Sequence, residues 1–413
     1  MIPWSQVRLD ALGTVERGRS RHRPRNDPAL YDGPYPFVQT GDIKAAGLRL
    51  YEYTQTYSEA GLAQSRLWPV GTLCFTIAAN IGDTAILGIP ACFPDSVVGF
   101  TADPEVADVV FVKYALDYAK LRFTSISRGA TQDNLSLEKL LSQQLSIPPL
   151  DTQRRIASIL GAYDDLIEVN RRRVGVLEEL ARGLFEEWFV RFRFPGHESV
   201  PIVDTPDGPL PEGWRFSKLP DVADINAASL KPKQAPECIG YIDIASVSPG
   251  QVDAINWMPF TEAPGRARRI VRDGSILWSN VRPNRRSHAL ILSPSSDVIA
   301  STGFTVLDAR EVPFSYLYQW VTTEDFVGYL VGNATGAAYP AVTAATFERA
   351  SILLPCTELR KRYGEFAAPL HRQKSALSEA NERLTSSRDL LLPRLISGQL
   401  TVAAAERELE LAA

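Results

Sequence analysis

With 413 residues the chain is too long for one average domain and suits two or three. Its composition, 45% apolar and 22% charged, is that of a soluble globular protein, and a net charge of −4 excludes a uniformly basic nucleic-acid coat while leaving room for a local basic face. Four scattered cysteines without a CxxC (Cys74, Cys92, Cys238, Cys356) argue against a disulfide framework or a thiolate zinc site and fit a reducing compartment. Met1-Ile2-Pro3-Trp4-Ser5 lacks the basic start and apolar run of a signal peptide. The most apolar stretch, Leu67 to Phe93, is broken by Asn80, Asp83 and several Gly and Pro, so no membrane span and a cytoplasmic location are expected.

In chain order the predicted elements come twice. Pro3-Trp4 and Leu9 correspond to Gly213-Trp214 and Leu219. Phe37-Val38-Gln39-Thr40 pairs with Tyr241-Ile242-Asp243-Ile244, and Tyr57-Ser58-Glu59-Ala60 with Phe260-Thr261-Glu262-Ala263. Arg66 through Gly71 aligns ungapped with Arg269 through Gly274, at an offset of 203 that continues into Gly71-Thr72-Leu73 and Gly274-Ser275-Ile276. At offset 207, Gly129-Ala130-Thr131 matches Gly336-Ala337-Ala338, and Ile147-Pro148-Pro149 matches Leu354-Pro355-Cys356. One such match is weak; their shared order makes the chain two diverged copies of one unit.

Each copy opens with short strands and Gly/Pro/Asn turns, such as Leu73-Cys74-Phe75-Thr76-Ile77 and Ser275-Ile276-Leu277-Trp278. A proline-bearing loop follows, then a long helical pattern. In the first, Ile156, Leu160, Tyr163, Ile167, Val174, Leu177, Leu184 and Trp188 keep 4-3-4 spacing, with Asn170 and Ala181 in the gaps. In the second, Leu359, Tyr363, Phe366, Leu370, Leu377, Ala380, Leu384 and Leu391 do the same. A period of 3.5 residues sustained over about 40 residues predicts a coiled-coil seam, and two such helices most simply pack on each other. Each would be roughly 60 Å long, a rod able to separate two domains. The expected fold class is α+β: mixed domains over 1–150 and 196–355, helices over 151–195 and 356–401, and a tail over 402–413. A Pro/Gly-rich linker over 195–211 opens the second domain.

Arginines cluster in both copies. Arg17, Arg19, Arg21, His22, Arg23 and Arg25 crowd an insertion in the first. Arg266, Arg268, Arg269, Arg272, Arg282, Arg285 and Arg286 crowd the second, with only Asp273 among them. A single Arg run is most often a solvated surface. Two clusters in homologous domains of an acidic chain point instead to nucleic acid, since the planar guanidinium fork suits phosphate and guanine edges.

Signs of catalysis are sparse. Ile147-Pro148-Pro149-Leu150 lacks the polar and aromatic residues with which adenine methyltransferases hold a flipped base, and no GxGxxG or P-loop occurs. Asp42-Ile43-Lys44 imitates half of a metal-nuclease motif without its preceding Pro-Asp, and the second copy has Ala245-Ser246-Val247 there. His22, His197, His288 and His371 show no metal-ligand spacing, and no GxSxG supports a serine nucleophile. The chain therefore reads as non-catalytic.

Domain, long helix, domain, long helix resembles the DNA-specificity subunit of type I restriction-modification systems. Gly129-Ala130-Thr131-Gln132 ahead of Ile147-Pro148-Pro149-Leu150-Asp151-Thr152-Gln153-Arg154-Arg155-Ile156 is similar to that family's approach to its first conserved helix. Leu391-Leu392-Pro393-Arg394-Leu395-Ile396-Ser397-Gly398-Gln399-Leu400 is similar to its C-terminal signature, and Pro211-Glu212-Gly213-Trp214 to the opening of its second recognition domain. The second copy departs from the pattern at Ala337-Ala338-Tyr339-Pro340.

The resemblance implies two target-recognition domains, each reading one half of a split double-stranded DNA target. It also implies an antiparallel coiled coil that fixes the spacing and docks two methyltransferase subunits. Restriction/translocase subunits would join that core. S-adenosylmethionine, ATP and Mg²⁺ would belong to the partners and no cofactor to this chain. In the first domain the DNA-binding candidates are Arg19, Arg21, Arg23, Arg25, Arg66, Asn80 and Arg128. In the second they are Arg266, Arg268, Arg269, Arg282, Asn284, Arg285 and Arg286. Arg66 and Arg269 are repeat equivalents, open to either a shared phosphate contact or a structural salt bridge. A stand-alone two-domain DNA-binding regulator and a non-DNA-binding assembly scaffold remain as rival readings.

Overall fold

The structure, a computed structural model, describes residues 4–22, 24–128 and 135–412, and only the backbone of 121–128 and 408–412. Its contacts divide the chain into two compact units, Met1–Arg171 with Glu379–Ala413, and Arg172–Ser378. Each unit thus combines one repeated copy's β-rich domain with part of both long helices.

The repeat is present in the strand pairing itself. In the first unit a five-stranded sheet runs Gly13–Arg17, Val97–Ala102, Leu73–Thr76, Thr84–Leu87, Arg49–Leu50. The second has the same order over four strands, Ala223–Ile225, Phe304–Ala309, Ile276–Ser279, His288–Leu290. Registers agree as well: Ser5 faces Ile147 as Arg215 faces Leu354, and Leu73 faces Phe100 as Ile276 faces Leu307. Phe37 bridges Cys92 in parallel, and Tyr241 sits likewise beside Ile299. In the second unit that last pairing widens into a separate sheet, Asn256–Pro259, Cys238–Ile242, Val298–Ser301, Ala267–Ile270.

The central strands Leu73–Thr76, Thr84–Leu87, Ile276–Ser279 and Val298–Ser301 are wholly buried because their residues are mostly apolar on both faces. Leu73, Phe75 and Phe100 pack with Phe111 and Leu160 in the first core, and Trp278 and Leu307 with Tyr316, Phe347 and Tyr363 in the second. Each such side chain removed from water contributes about 1.5–3 kcal/mol.

The first long helix, Leu150–Phe185, begins directly after the Ile147-Pro148-Pro149 loop. Gln153, 1% exposed, secures that start: Nε2 donates to Pro148 O (2.9 Å) and Val106 O (3.1 Å), and Oε1 accepts from Asp108 N–H (3.0 Å). The helix ends in a wider π-turn, Glu186–Val190, whose Trp188 and Phe189 bury their rings against Tyr363, Tyr316 and Trp214. The second long helix is Thr357–Ile396.

The two helices run antiparallel within each unit. In the first, Asp164 meets Arg388 and Asn170 donates to Asn381 Oδ1 (3.0 Å). In the second, Glu178 pairs with Lys374, and Trp188 meets Phe366 edge-on with ring centroids 6.2 Å apart. In both units the partner number falls as the first helix advances. Ile156 and Tyr363 are buried, and Tyr163, Leu177, Leu184, Leu370, Leu384 and Leu391 half-buried. Phe366, counted in the seam by its spacing, is 53% exposed and touches Trp188 only by its edge.

Two segments are more ordered than their composition implied. Within the expected linker, Ile202–Thr205 pairs with Gly208–Pro211 as a hairpin, its turn held by Thr205 Oγ1–H to Gly208 O (2.7 Å). The tail forms the helix Val402–Ala412, with Val402 and Ala405 buried in the first core and Glu406 bound to Arg155 Nε at 3.0 Å. Among the described residues no helix is long and apolar enough to cross a membrane.

Candidate nucleic-acid interface

In the second unit the basic residues sit on a defined loop pair. The connection from Ile276–Ser279 to His288–Leu290 carries Arg282, Asn284, Arg285 and Arg286, and lies against the segment Thr335–Ala341. Arg282 N–H donates to Pro340 O (2.7 Å), Val342 N–H to Asn280 O (2.8 Å), and Val281 bridges Ala341. The sequence forces a tight bend here. Pro283 fixes one φ in a short 3-10 turn, and Arg282 and Arg286 flank it with φ of 52° and 55°. Left-handed backbone at a non-glycine residue costs of order 1 kcal/mol or more and persists only where its surroundings enforce it.

The side chains of this loop divide into held and free. Arg286 is bound through both terminal nitrogens to Glu324, whose carboxyl the guanidinium holds below its ordinary value. Arg282 lies over the Tyr339 ring, 4.7 Å from its centroid. Asn284 and Arg285, at the tip, are exposed and make no side-chain hydrogen bond or ion pair among the described residues. They are the groups that can accept an outside partner.

The remaining arginines of this copy lie on and beside the strand Ala267–Ile270. Arg268 donates to Ala267 O (2.8 Å) and covers Phe260, whereas Arg266 and Arg272 are exposed, their guanidinia free among the described residues. Arg269 is partly buried without a side-chain partner among the described residues, its Nε enclosed and unbonded, and burial pulls its guanidinium below the usual arginine value.

In the first unit the equivalent hairpin loop holds Ala79, with φ of 60°, and the half-buried Asn80. Its neighbour is again a residue just ahead of a short helix, for Leu135 N–H donates to Ile77 O (2.9 Å) as Val342 N–H does to Asn280 O. Residues 129–134, including Gly129-Ala130-Thr131-Gln132, and Arg23 lie outside the described residues, as does the side chain of Arg128. Arg19 and Arg21 are exposed, their side chains free among the described residues; Arg25 pairs with Asp95 (3.0 Å), whose backbone carbonyl also takes Arg17. Arg66 is clamped between Glu16 and the Trp68 ring, 4.1 Å from its centroid. The repeat equivalents Arg66 and Arg269 thus differ: one is neutralised internally, the other is not.

Sequence reasoning passed over Tyr339 as a contact, noting it only as a departure from the first copy. Its exposure beside an arginine loop becomes evident only in three dimensions.

Two β-rich domains with matching strand order, each with a bent hairpin loop (arginine-bearing in the second) and each joined to a pair of antiparallel helices, define a protein built of two copies of one unit. Residues 1–179 match the family described as the type I restriction modification DNA specificity domain. The chain is 21% identical to the specificity subunit of the type I restriction enzyme MjaIX of Methanocaldococcus jannaschii, over 97% of its own length and 94% of that protein's. It is 23% identical to the HindI specificity subunit of Haemophilus influenzae, over 66% of this chain and 72% of that one. In fold it is similar to the S subunit of a type I restriction-modification system from M. genitalium, with a TM-score of 0.63 at 15% identity, covering 95% of this chain and 96% of that one. Residues 1–179 thus match the specificity-domain family, and over nearly its whole length the chain is similar to type I specificity subunits in sequence and fold.

Proposed function

We propose that this chain reads a bipartite double-stranded DNA target, one half-site per copy, and does no chemistry of its own. The observation that carries this reading is the loop of the second copy, where Asn284 and Arg285 stand free at the tip of an enforced bend. Asn and Arg are the side chains that make two-pronged hydrogen bonds to adenine and guanine edges in the major groove. Arg19, Arg21, Arg266, Arg269 and Arg272 supply cations that have no counter-charge among the described residues and so suit phosphate contacts. Duplication within one chain lets the two copies diverge and read different half-sites, which a homodimer cannot do.

In this reading the long helices set the gap between half-sites and dock two methyltransferase subunits. The first helix exposes Leu166 and Val169 in one unit and Val176 and Leu180 in the other, apolar side chains that a protein partner would cover. Methylation with S-adenosylmethionine, and cleavage with ATP and Mg²⁺ by restriction/translocase subunits, would be the partners' work in the cytoplasm. A stand-alone regulator would bind its target tightly without partners, and a scaffold would show no DNA preference.

The test is DNA binding by the chain assembled with its methyltransferase subunits, titrated against salt. Arg285→Ala is expected to weaken binding and to flatten log K against log salt by about one contact, or to relax preference at one base at a cost of about 1–3 kcal/mol. Unchanged affinity, slope and preference would place this loop away from DNA.

A further inference from the structure

Tyr339 is 69% exposed, yet its ring is held. The Arg282 guanidinium braces one face and reaches Ala338 O at 3.4 Å. The backbone on both sides is tied, with Thr335 and Ala341 exchanging two hydrogen bonds of 2.9 Å and Pro340 O accepting from Arg282 N–H. Arg282 takes a left-handed conformation to do this. Nothing within the second unit uses the ring's other face, since Tyr339 makes no further ring contact or hydrogen bond among the described residues. A tethered aromatic face left to solvent beside Asn284 and Arg285 is a contact built for something outside the chain.

The chemistry of that contact follows from what the neighbours cannot supply. Asn284 and Arg285 offer hydrogen bonds, whereas the open face of Tyr339 offers an apolar surface. In the major groove the apolar group presented by a base is the 5-methyl of thymine. We propose that Tyr339 is a specificity-determining residue that packs against a thymine 5-methyl group in the half-site read by the second copy, with Arg282 as its positioning residue. This rests on the DNA-reading function proposed above.

The experiment uses the full chain in complex with its methyltransferase subunits and a duplex carrying the target established for the wild-type complex. Each thymine in both half-sites is replaced in turn by deoxyuridine, which removes only the methyl group. The wild type is expected to lose about fourfold in affinity at one position of one half-site, the worth of a single buried methyl. Tyr339→Ala should bind the thymine and uracil duplexes equally at that position and keep wild-type preference across the other half-site, which also shows that it is folded. Tyr339→Phe should retain the wild-type discrimination. A thymine preference that survives in Tyr339→Ala overturns the inference, as does a wild type indifferent to every methyl group. A wild-type complex that prefers no bipartite target at all fails earlier, at the function itself.

Discussion

Glu16 holds the guanidinium of Arg66 in the first unit, and the repeat register puts Asn226 in the place of Glu16 in the second. Glu16 faces Gly99 on the neighbouring strand, while Asn226 N–H donates to Val306 O, the residue 207 positions beyond Gly99. Asn226 turns its own side chain to Val306 N–H (3.0 Å), so Arg269 is left with no carboxylate. A partly buried guanidinium without a counter-charge gains from an external anion; one already paired gains little.

Arg269→Gln is therefore expected to weaken DNA binding by the complex and make its log–log salt dependence shallower by about one. Arg66→Gln should leave the slope unchanged, and Glu16→Gln should steepen it by freeing Arg66. A slope insensitive to Arg269→Gln would show that this guanidinium faces no phosphate.

A second prediction concerns the helix pair. Asn170, 4% exposed, donates to Asn381, which donates in turn to Ile167 O (3.2 Å). A polar pair inside an apolar seam costs stability but fixes register. Asn170→Ala is expected to destabilise the first unit by about 1–3 kcal/mol, because the Asn381 Oδ1 loses its donor. Replacing both with Leu should restore or exceed wild-type stability in urea titrations. If the single variant is as stable as wild type, the pair is not sealed from water.

The second unit should be sensitive to mild acid. Burial, reinforced by the nearby cations Lys374 and Arg286 for His288 and Lys374 for His371, lowers both imidazoles to about 4. The unfolded chain binds these protons near pH 6.5, so stability is full above that value and falls as the pH drops toward 4. The expected loss is about 1.4 kcal/mol per pH unit for each histidine within that window. Urea midpoints at pH 7 and 5 measure it, and a His288→Gln, His371→Gln variant should flatten the difference. Equal acid sensitivity in that variant would assign the effect to other groups.

Much of this molecule was legible before its fold. Offsets of 203 and 207 between equivalent strings also relate Leu73 to Ile276 and Phe100 to Leu307 in the paired strands, because pairing register follows the pattern of side chains alternately facing the core. The long helices were legible through their period. The division of the arginines into held and free was not, since Glu324, Glu16 and Asp95 lie 38, 50 and 70 residues from Arg286, Arg66 and Arg25. Nor was the Asn170–Asn381 pair, for the 3.5-residue period pointed to Ala380 rather than its neighbour. The hairpin over Ile202–Pro211 was hidden by Pro and Gly, which mark a tight turn and a linker alike.

The most direct test of the central claim is to express the methyltransferase subunits proposed as partners with and without this chain in a host lacking DNA methylation, and to map N6-methyladenine across the genome. Methylation at a single split motif with a fixed gap, absent when this chain is omitted, is the expected result. Methylation that appears without the chain, or a soluble complex that methylates no bipartite motif, would contradict it.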